Sequence, residues 1–93
     1  MRLFFTSEAK ADIRDLAAYI TQDNPGAAIR AVSRIRKAAG LLADTPSIGR
    51  IGSLDGTREW VVRGLPYVLV YETDQDEGIV VILNVIHAAR RRD

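Results

Sequence analysis

The sequence contains no cysteine, which removes disulfides, thiolate nucleophiles and zinc–cysteine clusters together. With a single histidine, His87, a histidine-rich metal site is not expected either, and no pattern in the chain calls for a cofactor. Long apolar runs are also missing. The opening Met1-Arg-Leu-Phe-Phe-Thr lacks the apolar core and small-residue cleavage site of a signal peptide. No stretch approaches the ~20 apolar residues that a membrane span requires, so the cytoplasm is the expected location and no membrane partner is implied. A large charge of one sign is absent as well: the net charge of +1 gives no bulk attraction to nucleic acid.

What remains is the composition of a folded domain. Ninety-three residues, 47% hydrophobic and 27% charged, are enough for one core and too few for two, so residues 1–93 form a single domain. Charge is unevenly placed. Residues 25–45 hold Arg30, Arg34, Arg36 and Lys37 against Asp44 alone, residues 66–78 hold Glu72, Asp74, Asp76 and Glu77, and the chain closes on Arg90, Arg91 and Arg92.

Taken in order, Arg2 to Phe5 is short, apolar and aromatic, as a first strand is. Ser7 is suited to cap a helix, with Glu8 at the positive end of its dipole. Ala9, Ile13, Leu16, Ala17 and Ile20 then mark one helical face to about Gln22, leaving Lys10, Asp12, Arg14 and Asp15 for solvent. Asp23-Asn24-Pro25-Gly26 breaks this helix and starts another, because Asn24 caps well and proline costs nothing at the first helical position. Two helices joined so tightly form a hairpin. The second has a seam of Ala28, Val32, Ile35, Ala39 and Leu42, opposite which lie Arg30, Arg34 and Lys37. Those three cations are either a solvated face or a contact surface for an acidic partner.

Thr45-Pro46 ends the second helix, since the residue before proline disfavours helical backbone. Ser47 to Gly56 reads as a loop that carries Arg50; its three glycines fit neither Walker nor dinucleotide spacing. Three β-type runs follow, Thr57 to Arg63, Tyr67 to Thr73 and Ile79 to Ile86, separated by Gly64-Leu65-Pro66 and Asp74 to Gly78. On the last two of these, Tyr67, Leu69 and Tyr71 share one face, and Ile79 to Ile86 is apolar on both. The predicted fold is α+β: an N-terminal strand, a helical hairpin, then a three-strand antiparallel meander. Together they give a mainly antiparallel four-stranded sheet with the helices on one face.

The chain resembles the RelE/ParE superfamily of toxins from toxin–antitoxin modules, more narrowly its ParE branch. The resemblance runs over nearly the whole length and is carried by several segments in order. They are Thr6-Ser-Glu-Ala-Lys-Ala-Asp-Ile13, Asp23-Asn-Pro-Gly-Ala-Ala28, Pro46-Ser-Ile-Gly-Arg50, Gly56-Thr-Arg-Glu59, Pro66-Tyr-Val-Leu-Val-Tyr71 and Val85-Ile-His-Ala-Ala-Arg90. It implies a growth-inhibiting toxin of a type II module, of the kind used in plasmid stabilisation, neutralised by a cognate ParD-like antitoxin. Operator DNA would be contacted only through that antitoxin.

Two activities are implied by the superfamily: RelE-type members cut messenger RNA on the ribosome, and ParE-type members poison DNA gyrase. Cutting RNA through the 2′-hydroxyl needs a base, an acid and cations for the phosphate. The residues on offer are Glu59, His87 and Arg50, Arg58 or Arg90. Arg58 and Glu59 are strand neighbours, however, and point to opposite faces. RelE-type nucleases commonly read Tyr-Arg-Leu-Val-Tyr where this chain has Tyr67-Val68-Leu69-Val70-Tyr71, so the phosphate-binding arginine is replaced by Val68, and they tend to place lysines on the preceding strand, where this chain has Glu59 to Val62.

The expectation is therefore a gyrase inhibitor acting by binding, with messenger RNA endonuclease as the alternative. Target contacts are sought at Arg50, Trp60, His87, Arg90, Arg91 and Arg92, and antitoxin contacts at Arg30, Arg34 and Lys37. For Trp60 core filling competes with an interface role, and for His87 a hydrogen-bonded structural role competes with an acid.

Overall fold

The computed structural model describes residues 1–90, with the Arg90 side chain outside that description. Strand β1 (Arg2–Phe5) leads into helices α1 (Ser7–Thr21) and α2 (Pro25–Asp44). A 3₁₀ turn (Pro46–Ile48) and the short strand β2 (Arg50–Ile51) precede strands β3 (Arg58–Val61), β4 (Tyr67–Asp74) and β5 (Ile79–His87). A second 3₁₀ turn covers Ala88–Arg90. The sheet has five strands in the order β1-β5-β4-β3-β2, one more than the sequence indicates. The addition is β2, inside the stretch read as loop. Two residues carry no alternation signal, and they become a strand only because Arg50 and Ile51 pair with Glu59 and Arg58.

All pairings are antiparallel except β1 with β5, where Arg2 to Phe5 run beside Ile79 to Ile82. The α1–α2 hairpin covers one face. Ala9, Ile13 and Leu16 of α1 and Ile35, Ala39 and Leu42 of α2 meet Leu69, Tyr71, Val80 and Ile82 there. Each fully buried Leu or Ile is worth about 1.5–3 kcal/mol of transfer free energy, which explains why the regular apolar seam of α2 predicts the buried face so well.

Two caps differ from expectation or sharpen it. Asn24 caps α2 as predicted, its Oδ1 accepting the Ala27 N–H at 3.0 Å. For α1 the cap is Thr6 rather than Ser7: Thr6 Oγ1 accepts the Ala9 N–H at 3.0 Å, and Ser7 is already helical. Thr6 is preferred because its hydroxyl also donates to the Leu83 carbonyl at 2.7 Å, a tertiary bond that Ser7 is not placed to make. That carbonyl is available because the β4–β5 register shifts between Val70 and Tyr71, leaving Leu83 as the extra residue of a bulge.

Candidate functional site

The helices cover one face of the sheet, and strand alternation decides which side chains point to that face and which to the other. Tyr67, Leu69 and Tyr71 of β4 point to the helices. Their register partners Trp60 and Arg58 on β3 and Val85 and His87 on β5 share that side. Glu59 and Val61 of β3, Val68 and Val70 of β4, and Ile86 of β5 therefore belong to the opposite face, where Val61 is exposed and Glu59, Val68 and Val70 are buried. Because Arg50 pairs in register with Glu59, it joins them.

Arg50 is held on a built frame. Tyr71, fully buried, donates its hydroxyl to the Pro46 carbonyl at 2.6 Å and accepts the Gly49 N–H at 3.0 Å. Arg58 Nη1 donates to the Gly49 carbonyl at 2.7 Å. These bonds fix the segment immediately before β2. Only glycine fits at position 49, because a Cβ there would run into the Tyr71 ring and hydroxyl and lie 2.9 Å from the Glu59 carbonyl. Beyond β2 the chain turns back through Gly52, whose N–H donates to the Thr57 carbonyl at 2.8 Å, delivering Arg58 and Glu59 alongside.

Within this frame Arg50 Nη2 lies 3.6 Å from Glu59 Oε1. Glu59 is only 5% exposed and Arg50 is 56% exposed, so the buried carboxylate anchors an outward-facing guanidinium. Arg58 does diverge from Glu59, and its guanidinium is used on the Pro46–Gly49 turn. Trp60 is half-buried and packs against the core cluster.

His87 sits elsewhere. Its ring meets Tyr67 edge-on at 5.6 Å between centroids, and its Nδ1 accepts the Ala89 N–H at 3.1 Å. Both face a cleft of about 740 Å³ whose other wall is Asp12, Asp15, Leu16 and Tyr19 of α1. The candidate nuclease set is thus divided. Glu59 and Arg50 are on the face away from the helices, Arg58 and His87 on the helix side. Arg91 and Arg92, like the Arg90 side chain, lie outside the described residues.

The Arg30, Arg34 and Lys37 stripe is exposed along α2, but its members are not equivalent. Arg34 reaches across to the β3–β4 turn, where its Nη1 donates to the Arg63 carbonyl at 3.4 Å. One residue assigned to solvent belongs to the structure: Asp12 Oδ2 accepts the Val85 N–H at 2.9 Å, beside Asn84 Nδ2 at 3.4 Å. Helical periodicity placed Asp12 on the polar face, and it gives no hint that β5 outruns β1 and leaves a backbone donor facing α1. The Tyr71 rivet was equally invisible, because its partners are 22 and 25 residues away.

Among the described residues no helix is long and apolar enough to cross a membrane. The chain matches, over residues 3–92, the family model of the ParE toxin of the type II toxin–antitoxin system parDE. It is 40% identical over 87 residues to the Y4kP protein of Sinorhizobium fredii, spanning 94% of this chain and 88% of that one. Toxin RelE2 of Caulobacter vibrioides is 38% identical over 89 residues, spanning 96% and 97%. Among solved structures, the chromosomal ParDE toxin–antitoxin system from P. aeruginosa superposes with a TM-score of 0.81 at 22% identity, over 94% of this chain and 95% of that one. Sequence and fold agree, and this chain belongs to the ParE toxin family of type II toxin–antitoxin systems, within the RelE/ParE superfamily.

Proposed function

We propose that this toxin acts by binding DNA gyrase and holding a cleaved or stalled DNA complex, blocking replication without a hydrolytic site of its own. The observation that carries the reading is the character of the sheet face away from the helices. There β3 and β4 supply Glu59, Val61, Val68 and Val70, of which only Val61 is exposed, and the buried Glu59 carboxylate lies against Arg50. A nuclease must bring a base, an acid and phosphate-binding cations to one scissile group. Here the carboxylate is engaged with an arginine, and His87 belongs to the opposite side of the sheet. Arg50, rigidly framed and half in solvent, is suited to recognition instead.

The same reading includes a cognate ParD-like antitoxin, in line with the ParDE assembly of the P. aeruginosa neighbour. The exposed Arg30 and Lys37, with Arg34, would meet an acidic segment of it on the helical hairpin. Charge reversal at these three positions is expected to weaken the complex, and unchanged affinity would remove that contact.

The target is tested by expressing the chain without antitoxin. SOS induction and gyrase-linked DNA breaks are expected, and a supercoiling assay with purified gyrase should show inhibition. Codon-phased messenger RNA cleavage in primer-extension maps, with intact DNA, would overturn the proposal. It would favour the endonuclease reading, for which the name of the Caulobacter relative, Toxin RelE2, speaks.

A further inference from the structure

We infer that the rim of the sheet at β2, with Ile48, Ile51, Leu54 and Val61 set around Arg50, is the surface that grips the toxin's protein target, and that it takes a carboxylate side chain placed among apolar ones. The inference rests on the reading that the chain inhibits growth by binding a protein.

The argument begins with apolar surface left in water. Ile48, Ile51, Leu54 and Val61 are 43, 74, 67 and 51% exposed. A single exposed aliphatic side chain is ordinary; four of them gathered on one edge hairpin and the turn before it are not. Ile51 lies on β2, the last strand in the sheet order, beside Arg58. Val61 shares the face of Arg50, two residues beyond the Glu59 that pairs with it.

The backbone that carries these side chains is already fixed. The Leu54 carbonyl accepts both the Thr57 N–H at 3.1 Å and the Thr57 hydroxyl at 2.6 Å, and Thr57 is buried. Gly56 closes the turn at a φ of +78°, in the left-handed region that glycine adopts without strain. Ile48 ends the 3₁₀ turn that Tyr71 and Arg58 hold. Side chains presented from an ordered backbone lose less freedom on binding, so their burial converts more fully into affinity.

The chemistry of the rim points to a protein. Arg50 directs a guanidinium outward beside aliphatic side chains, and a carboxylate pairs with it best where apolar contacts exclude water. Nucleic acid is a poorer match, because phosphates require a run of cations and bases stack on exposed aromatics. Across residues 48–61 the one aromatic, Trp60, is half-buried on the helix side, Arg58 is drawn to the Ser47 and Gly49 carbonyls, and Asp55 is exposed on the turn. Strand addition is disfavoured too: β2 has two residues before the chain turns at Gly52. Recognition here is by side chains.

The test is Ile51→Thr combined with Leu54→Gln in the full chain, with Ile51→Val/Leu54→Met as the conservative pair. Growth inhibition at matched expression, affinity for purified DNA gyrase, affinity for the cognate antitoxin and thermal unfolding are measured together. The polar pair is expected to lose growth inhibition and at least tenfold in gyrase affinity, since two aliphatic contacts are removed. Its unfolding midpoint and antitoxin affinity should stay as in the parent, and the conservative pair should keep full toxicity. If the polar pair does not fold, Leu54→Gln alone, on the exposed turn, carries the same comparison. Full toxicity of the folded polar variant overturns the inference. So does an equal loss of antitoxin affinity, which would make the rim an antitoxin contact, or a loss confined to Arg50→Gln, which would mark a phosphate ligand. A parent chain that inhibits growth without binding gyrase defeats the gyrase reading alone; the rim is then judged on growth inhibition, which the polar pair must lose for the inference to stand.

Discussion

Removing one oxygen atom, by Tyr71→Phe, tests whether the presentation of Arg50 depends on the buried rivet beneath it. The Tyr71 hydroxyl makes two bonds at once, donating to Pro46 C=O at 2.6 Å and accepting Gly49 N–H at 3.0 Å. Phenylalanine preserves the packing of a ring that is fully buried, so no cavity term arises. Gly49 is itself buried, and its N–H would lose its partner at a cost of about 1–3 kcal/mol; Pro46 is half-buried and its carbonyl can turn to water, adding about 0.5–1 kcal/mol. A total near 2–3 kcal/mol is a large part of the roughly 5–14 kcal/mol that a chain of this length commands. It corresponds to a fall in Tm of roughly 10–20 °C. Urea and thermal unfolding measure the loss, and hydrogen exchange locates it, because the Gly49 amide should become the most strongly deprotected site. A change below about 0.5 kcal/mol, within the range of ordinary surface substitutions, with the Gly49 amide still protected, would refute the reasoning.

Gly49→Ala should do comparable damage by the opposite route. Its methyl group must displace the Tyr71 ring or the β3 backbone, so unfolding should show a loss of about 1–3 kcal/mol. Thr6→Val, which keeps shape but removes the hydroxyl, should cost about 2 kcal/mol through the lost α1 cap and the stranded Leu83 carbonyl. Thr6→Ser should recover most of that loss, and calorimetry on the pair distinguishes the hydroxyl from the packing. Arg50→Gln should separate function from fold. The guanidinium is more than half exposed and 3.6 Å from its partner, so unfolding should change by no more than about 1 kcal/mol. Growth inhibition should nevertheless fall sharply at matched expression, and retained toxicity would remove Arg50 from the target surface.

Periodicity made the two helices legible almost to the residue. Asn24-Pro25 states its own cap, and α2 ends at Asp44 before Thr45-Pro46 as proline requires. β4 and β5 were legible because β-branched and aromatic runs leave little alternative. What escaped depends on partners distant in sequence. Arg50 and Ile51 have no strand signal of their own and acquire one from Arg58 and Glu59. Asp12 looks like any solvent-facing acid of an amphipathic helix until the mismatch in length between β1 and β5 gives it a backbone donor to satisfy. Alternation puts Tyr67 and Tyr71 on one face of β4, where both join the core, but it carries no sign of the bonds that make Tyr71 a determinant of the neighbouring loop. Charge spacing placed Arg30, Arg34 and Lys37 together, and only the tertiary fold separates Arg34, which leans on the β3–β4 turn.

The strongest functional argument comes from parity rather than from any single residue. Adjacent positions on a strand face opposite ways, so the arginine and glutamate at 58 and 59 can share a reaction centre only if one strand face wraps around the sheet edge. They do not: Arg58 is drawn beneath, to the Gly49 carbonyl, and Glu59 is drawn above, to Arg50. His87, with Tyr67, belongs to the lower side as well. An acid, a base and a cation distributed in this way cannot converge within hydrogen-bond reach of one phosphate without reorganising the sheet. A binding surface has no such requirement, because recognition elements contribute from separate faces and need only match the shape and charge of what they touch. The framed Arg50 and the basic α2 stripe are two such elements. Such a surface is what the proposed mechanism of action by binding would use.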